Sequence, residues 1–156
     1  MIVGRAESVR RIKRNPLFRT MRVDKIVFSM LERLFTIYLN GSYPSEIKLW
    51  ELLSVPESVL YKRAKKMMAD LGHPEGLSVE ASRSFVGGGA LPEAHIPSVA
   101  IVFSAERKVT ALVRRFRELP VPVIGRVDED RFMLDLKAVA EEELPILTDS
   151  IREVLD

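Results

Sequence analysis

The stretch "LPVPVIGRVDEDRFMLDL", Leu119–Leu136, decides the fold. Two apolar-rich runs, "PVIGRV" and "RFMLDL", flank the acidic "DED". Short runs of this kind on either side of turn residues read as two strands of a hairpin. Before them, "AERKVTALVRRFREL" places Val109, Leu112, Val113 and Phe116 at helical spacing behind Ser104, which is suited to cap a helix. After them, "EEELPILTDSIREVLD" reads as a closing helix. Its three leading glutamates sit where a helix N-terminus favours negative charge, a sufficient structural reason for them.

Moving outward, "LSVEASRSF" alternates. Leu77, Val79 and Ala81 share one face and Ser78, Glu80 and Ser82 the other, the pattern of a half-buried strand. "SVAIVFS", Ser98–Ser104, is a short apolar strand. Three helices precede them. "DKIVFSMLERLFTIYLNG" has Asp24 as N-cap, Ile26, Met30, Leu34, Ile37 and Tyr38 at helical spacing, and Asn40–Gly41 as its stop. Val27, Phe28, Leu31 and Phe35 widen its apolar face, so burial on most sides is expected. "PSEIKLWELLS" is a shorter helix with Trp50 in the core. "PESVLYKRAKKMMADLG" is a third, with Pro56 in its first turn, Gly72 past its end, and Met67 and Met68 as core filler. Helices first, then strand, strand, helix, strand, strand, helix gives an α+β domain. A mainly antiparallel sheet of about four strands should carry helices on one face.

Between the first two strands lies "SFVGGGALPEAHIPS", Ser84–Ser98. It lacks the Gly-Lys-Ser/Thr ending of a nucleotide-binding loop and does not open a helix as a dinucleotide fingerprint does. Close flanking by elements of one domain argues against a linker. A fitted loop remains, in which Gly87, Gly88 and Gly89 admit tight backbone and Pro92 and Pro97 fix the return.

No cysteine is present, so disulfides, thiol nucleophiles and thiolate metal sites are excluded. His73 and His95 are not spaced as a metal pair and no carboxylates gather with them in sequence, so no metal site is expected. No apolar run is long enough for a membrane span, and no signal-peptide core opens the chain. Net charge is only +2, yet Arg5, Arg10, Arg11, Lys13, Arg14, Arg19, Arg22 and Lys25 crowd residues 5–25 against Glu7 and Asp24. Acids dominate residues 128–156. The basic end points to an anionic partner or to a solvated face. Within it, "NPLFRTMRVDK" holds Arg19 and Arg22 three apart. In a helical or tightly turned segment both guanidiniums face one way, which suits a phosphate-like anion; pairing with acids elsewhere is the alternative.

Three stretches, "NPLFRTMRVDK", "SFVGGGALPEAHIPS" and "LPVPVIGRVDEDRFMLDL", together resemble the C-terminal part of bacterial selenocysteine synthase, the L-seryl-tRNA(Sec) selenium transferase. Order and spacing agree over essentially the whole chain. The resemblance implies the small domain of a fold-type I pyridoxal phosphate enzyme. Such an enzyme converts seryl-tRNA(Sec) to selenocysteinyl-tRNA(Sec) with selenophosphate, in the cytoplasm, as a homo-oligomeric ring of dimers. It implies residues 1–25 as the end of the large domain and a connecting arm, and residues 26–156 as the C-terminal small domain. Arg19 and Arg22 match family arginines that bind the selenophosphate-type anion. Gly87, Gly88, Gly89 and Arg126 match positions that face the cofactor cleft. The family's Schiff-base lysine precedes a strand like this chain's "IVG", so the resemblance puts that lysine before Met1. A fragment beginning there is expected to hold no catalytic residue, to bind no cofactor and to be inactive by itself. Two rival readings stand beside this one: a tRNA-binding module built on residues 5–25, and an oligomerisation module built on the apolar face of residues 26–39.

Overall fold

The structure, a computed structural model, describes residues 2–85, 95–104 and 108–155. The chain forms two compact units, Met1–Glu46 and Ile47–Asp156.

In the first unit, α1 (Ala6–Arg14) stops at Asn15, whose backbone is extended ahead of Pro16. The Asn15 side chain then accepts a hydrogen bond from the Leu17 N–H at 2.9 Å and starts a 3-10 turn, Pro16–Arg19. The next helix, α2 (Lys25–Leu39), is capped as expected: Asp24 Oδ1 accepts from the Val27 N–H at 2.9 Å. It ends at Asn40, with Gly41 at φ +70°. The short α3 (Tyr43–Glu46) follows, and the Tyr38 and Tyr43 rings stack with centroids 5.3 Å apart.

The expected burial of α2 is not found. Ile37 alone is buried, while Ile26, Phe28 and Met30 are each about two-thirds exposed. A unit of this size buries too small a share of its surface to wrap a long helix, and the short α3 folds back on its C-terminal end. Nor is "PSEIKLWELLS" one helix. Ile47 takes extended backbone, and a separate α4 (Lys48–Ser54) follows. Leu52 and Leu53 take its inward positions, which leaves Trp50 37 % exposed and not in the core.

The second unit holds the sheet. After α5 (Glu57–Asp70) and Gly72 at φ +77°, β1 (Leu77–Phe85) and β2 (His95–Phe103) pair antiparallel from Leu77↔Phe103 to Phe85↔His95. The second strand is therefore longer than "SVAIVFS". Then come α6 (Val109–Glu118), β3 (Arg126–Asp128), β4 (Arg131–Asp135) and α7 (Leu144–Leu155). Ser104 does not cap α6, which starts beyond Lys108; the Ser104 N–H instead donates to the Gly76 carbonyl. Of "PVIGRV", only its end joins the sheet. The β3–β4 turn puts Glu129 and Asp130 at φ +47° and +55°, the two-residue geometry whose twist matches paired strands. The sheet is open, with order β1-β2-β4-β3, and every described pairing is antiparallel.

All three long helices of this unit lie on one face. Leu60, Ala64 and Met67 of α5, Leu112 and Phe116 of α6, and Leu147, Ile151 and Val154 of α7 meet Val99, Ile101, Phe103, Phe132 and Leu134. Phe103, Phe116 and Phe132 form a triangle with centroids 5.0–5.5 Å apart. Each such side chain, once buried, stabilises the fold by about 1.5–3 kcal/mol. Lys137 closes the end of α4 from below. It is 5 % exposed, and its Nζ donates to the Val55 carbonyl at 2.6 Å. Burial lowers its pKa, opposed by the nearby Asp135 and Glu57 carboxylates.

Candidate functional site

Arg19 and Arg22 belong to the first unit. From Asn15 onward the backbone closes successive i→i+3 bonds: Phe18 N–H to Asn15, Thr20 N–H to Leu17, Met21 N–H to Phe18 and Arg22 N–H to Arg19, at 2.9–3.4 Å. The Thr20 hydroxyl adds a bond to the Leu17 carbonyl at 2.7 Å. In such a turn residues three apart eclipse, so Arg19 and Arg22 leave the chain on the same side. Both are exposed. Among the described residues neither has a carboxylate within 4.0 Å. The neighbouring acid, Asp24, is occupied in capping α2. The local sequence thus builds a hydrogen-bonded turn with two guanidiniums unneutralised among the described residues.

Arg126 belongs to the second unit and is held differently. It starts β3, one edge of the sheet, and its guanidinium reaches the other edge. Nη1 donates to the Arg83 carbonyl at 2.9 Å and Nη2 to Ser82 Oγ at 3.0 Å. Asp128 lies 3.8 Å away. The span runs over the sheet face that carries no long helix, where Ala100, Val102 and Met133 are buried in a small cluster. Small side chains at Ala100 and Val102 leave room for the arginine stem, which covers them in turn. Arg131 makes a parallel strap, donating to both Glu80 oxygens at 3.0–3.1 Å. The Ser78 hydroxyl and then Arg131 hold the Glu80 carboxyl below its usual range.

Sequence reasoning missed the residues that position Arg126. Asp135 accepts from the hydroxyls of Ser82 and Ser98 and from the Lys137 N–H. Gly125 admits no side chain: a Cβ there would sit 2.3 Å from Phe132 Cζ and 2.8 Å from the Met133 carbonyl oxygen. The available signal was the alternation of polar residues at 78, 80 and 82 facing alternate arginines at 126 and 131. Using it requires the strand register. Buried Arg126 Nε has no partner among the described residues.

Gly87, Gly88 and Gly89 lie outside the described residues. The pair Phe85↔His95 at the ends of β1 and β2 brackets the segment that holds them. In the second unit a groove between α5 and α7 also gathers cations, but Arg63 there is matched by Glu141 at 2.7 Å and Arg152 by Asp149. Among the described residues no group of three or more His, Asp or Glu is arranged to hold a metal ion. No described helix is long and apolar enough to cross a membrane.

Residues 1–140 match the family model of L-seryl-tRNA selenium transferase. Curated relatives named L-seryl-tRNA(Sec) selenium transferase include that of Campylobacter concisus, 35% identical over 153 residues, 98% of this chain and 33% of the relative. That of Carboxydothermus hydrogenoformans is 32% identical over 148 residues, 92% of this chain and 32% of the relative. That of Aquifex aeolicus is 31% identical over 158 residues, 99% of this chain and 35% of the relative. The chain thus spans about a third of the length of the relatives it matches. With nine-tenths of its residues inside the family model, the chain belongs to the L-seryl-tRNA selenium transferase family.

Proposed function

We propose that this chain serves as the C-terminal part of a transferase that turns seryl-tRNA(Sec) into selenocysteinyl-tRNA(Sec), with Arg19 and Arg22 holding the selenium donor. The observation that carries this reading is the pair of exposed, unneutralised arginines, Arg19 at the end of the 3-10 turn and Arg22 at the end of the i→i+3 bonds that continue it. Two planar guanidiniums on the same side bind a phosphate-like dianion through charge-assisted, bidentate hydrogen bonds. Selenophosphate has that chemistry. The arginines hold its phosphate oxygens; overall, the seryl C–O bond breaks with the hydroxyl leaving as water, a C–Se bond forms at the β-carbon, and water cleaves the P–Se bond and releases inorganic phosphate.

Pyridoxal phosphate, the electron sink the resemblance implies, does not fit the lysines described here. Lys137 is the buried one, and its Nζ is committed to the carbonyls of Val55 and Leu53 at the end of α4. Lys13, Lys25, Lys48, Lys62, Lys65, Lys66 and Lys108 are exposed. We assign the cofactor and its Schiff-base lysine to the parts of the relatives that this chain does not match, and expect the chain alone to be inactive. Residues 1–25 are then the connecting arm and residues 26–156 the small domain. Arg126 and the segment of Gly87–Gly89 face the cleft, and the working compartment is the cytoplasm, where seryl-tRNA is made.

The test joins this chain to the unmatched remainder of the Campylobacter concisus relative. Replacing Arg19 and Arg22 together by alanine should abolish selenium transfer; transfer at the parent rate would remove the anion-site assignment.

One observation supports an assembly role as well. The apolar surface that Ile26, Phe28 and Met30 expose around α2 is larger than a solvated helix needs. In the complete protein it packs on another part or another copy, in keeping with a homo-oligomer. Light scattering on the isolated chain should show self-association that Phe28→Glu reduces; a monomer at all concentrations would count against the self-packing role.

A further inference from the structure

Positive charge in this chain is segregated. Residues 5–25 hold eight cations against two acids, and the rest holds sixteen against twenty. Four of the eight, Arg10, Arg11, Lys13 and Arg14, fall within five residues at the end of α1, a helix about 13 Å long at 1.5 Å per residue. Arg10 and Arg14 stand one turn apart, with Lys13 and Arg11 to either side, so the four sweep one broad face. Val9, half-buried, and Ile12, 39 % exposed, lie opposite. All four cations are exposed, and among the described residues none has a carboxylate within 4.0 Å. The negative end of a helix dipole favours a cation nearby, but its reach and strength account for one such charge, not four. Groups that cost so much mutual repulsion and serve no internal pair point outward, to a polyanion.

We infer that this face of α1 binds the phosphate backbone of the tRNA substrate, a step that rests on the proposed function for the identity of the RNA. A membrane surface fits less well, because the apolar side offers only Val9 and Ile12 before Pro16 stops the helix. An RNA backbone needs no apolar side. It rewards closely spaced Lys and Arg through counterion release, with a salt dependence set by the number of phosphates neutralised.

The experiment titrates this chain into labelled, deacylated tRNA(Sec) at two salt concentrations. Four phosphate contacts predict affinity falling on the order of 100-fold between about 50 and about 200 mM salt. The variant R10Q/R11Q/K13Q/R14Q should flatten the logarithmic salt slope by about 3 to 4. The variant R10K/R11K/R14K, which keeps the charges, should retain the parent slope and shows that helix damage is not the cause. Absence of binding at the lower salt, or a slope that the glutamine variant leaves unchanged, overturns the inference. So does binding to phosphatidylserine-containing vesicles in place of RNA. Deacylated tRNA undergoes no selenium transfer, so this readout is independent of the Arg19 and Arg22 assignment, and either reading can fail while the other stands.

Discussion

At the scale of single residues, the two arginine groups of this chain are opposites. Arg19 and Arg22 are exposed and unneutralised, whereas Arg126 has its guanidinium tied to Ser82 and to the Arg83 carbonyl. Charge and spacing along the chain point to the first pair but leave anion binding and pairing with acids elsewhere as equal readings. The surroundings of Arg126 were not legible, because Ser82, Ser98 and Asp135 meet only once three strands are in register. Asp135 is central to that cluster. Asp135→Ala strands two hydroxyls and a backbone N–H, and should cost about 2–3 kcal/mol in urea unfolding, while Ser98→Ala alone costs under about 1.5 kcal/mol. Gly125→Ala forces a Cβ into the Phe132 ring and should destabilise by about 1–3 kcal/mol, measured the same way.

At the scale of elements, periodicity located the helices and strands but not their neighbours. The spacing of Ile26, Met30, Leu34 and Ile37 identifies an apolar helix face; it cannot say what covers that face, and in this structure little does. Asp24 was readable as a cap because capping is local, and Asp24→Ala should lose about 1 kcal/mol of stability in thermal unfolding. Ser104 misled because a plausible cap residue is common and α6 begins further on. The strap from Arg131 to Glu80 across β2 gives a pH signature. The Glu80 carboxyl has a lowered pKa when folded, so its contribution is complete above the ordinary carboxyl value of 4.5 and disappears as pH falls through the folded value. Its side chain is 37% exposed, so the effect stays below about 1 kcal/mol. The stability gap between the parent and Glu80→Gln should be constant near neutral pH and narrow as pH falls through the lowered folded value; a gap unchanged into acid would exclude the strap as its source.

For the whole molecule, the α+β architecture was legible because each strand and helix carries its own period and the hairpin around Glu129–Asp130 announces antiparallel pairing. The division into Met1–Glu46 and Ile47–Asp156 was not, since no composition shift marks Ile47. Functionally, the second unit is a sheet braced on one face by helices and on the other by arginine straps, and the first presents the free cations. The central claim is that Arg19 and Arg22 hold the selenium donor. Its most direct test is the rate of selenocysteinyl-tRNA formation at saturating selenophosphate by the Campylobacter concisus enzyme, with its matching segment replaced by this chain. Arg19→Ala and Arg22→Ala should each slow that rate by about 100-fold or more; rates equal to the unsubstituted chimera would contradict the claim.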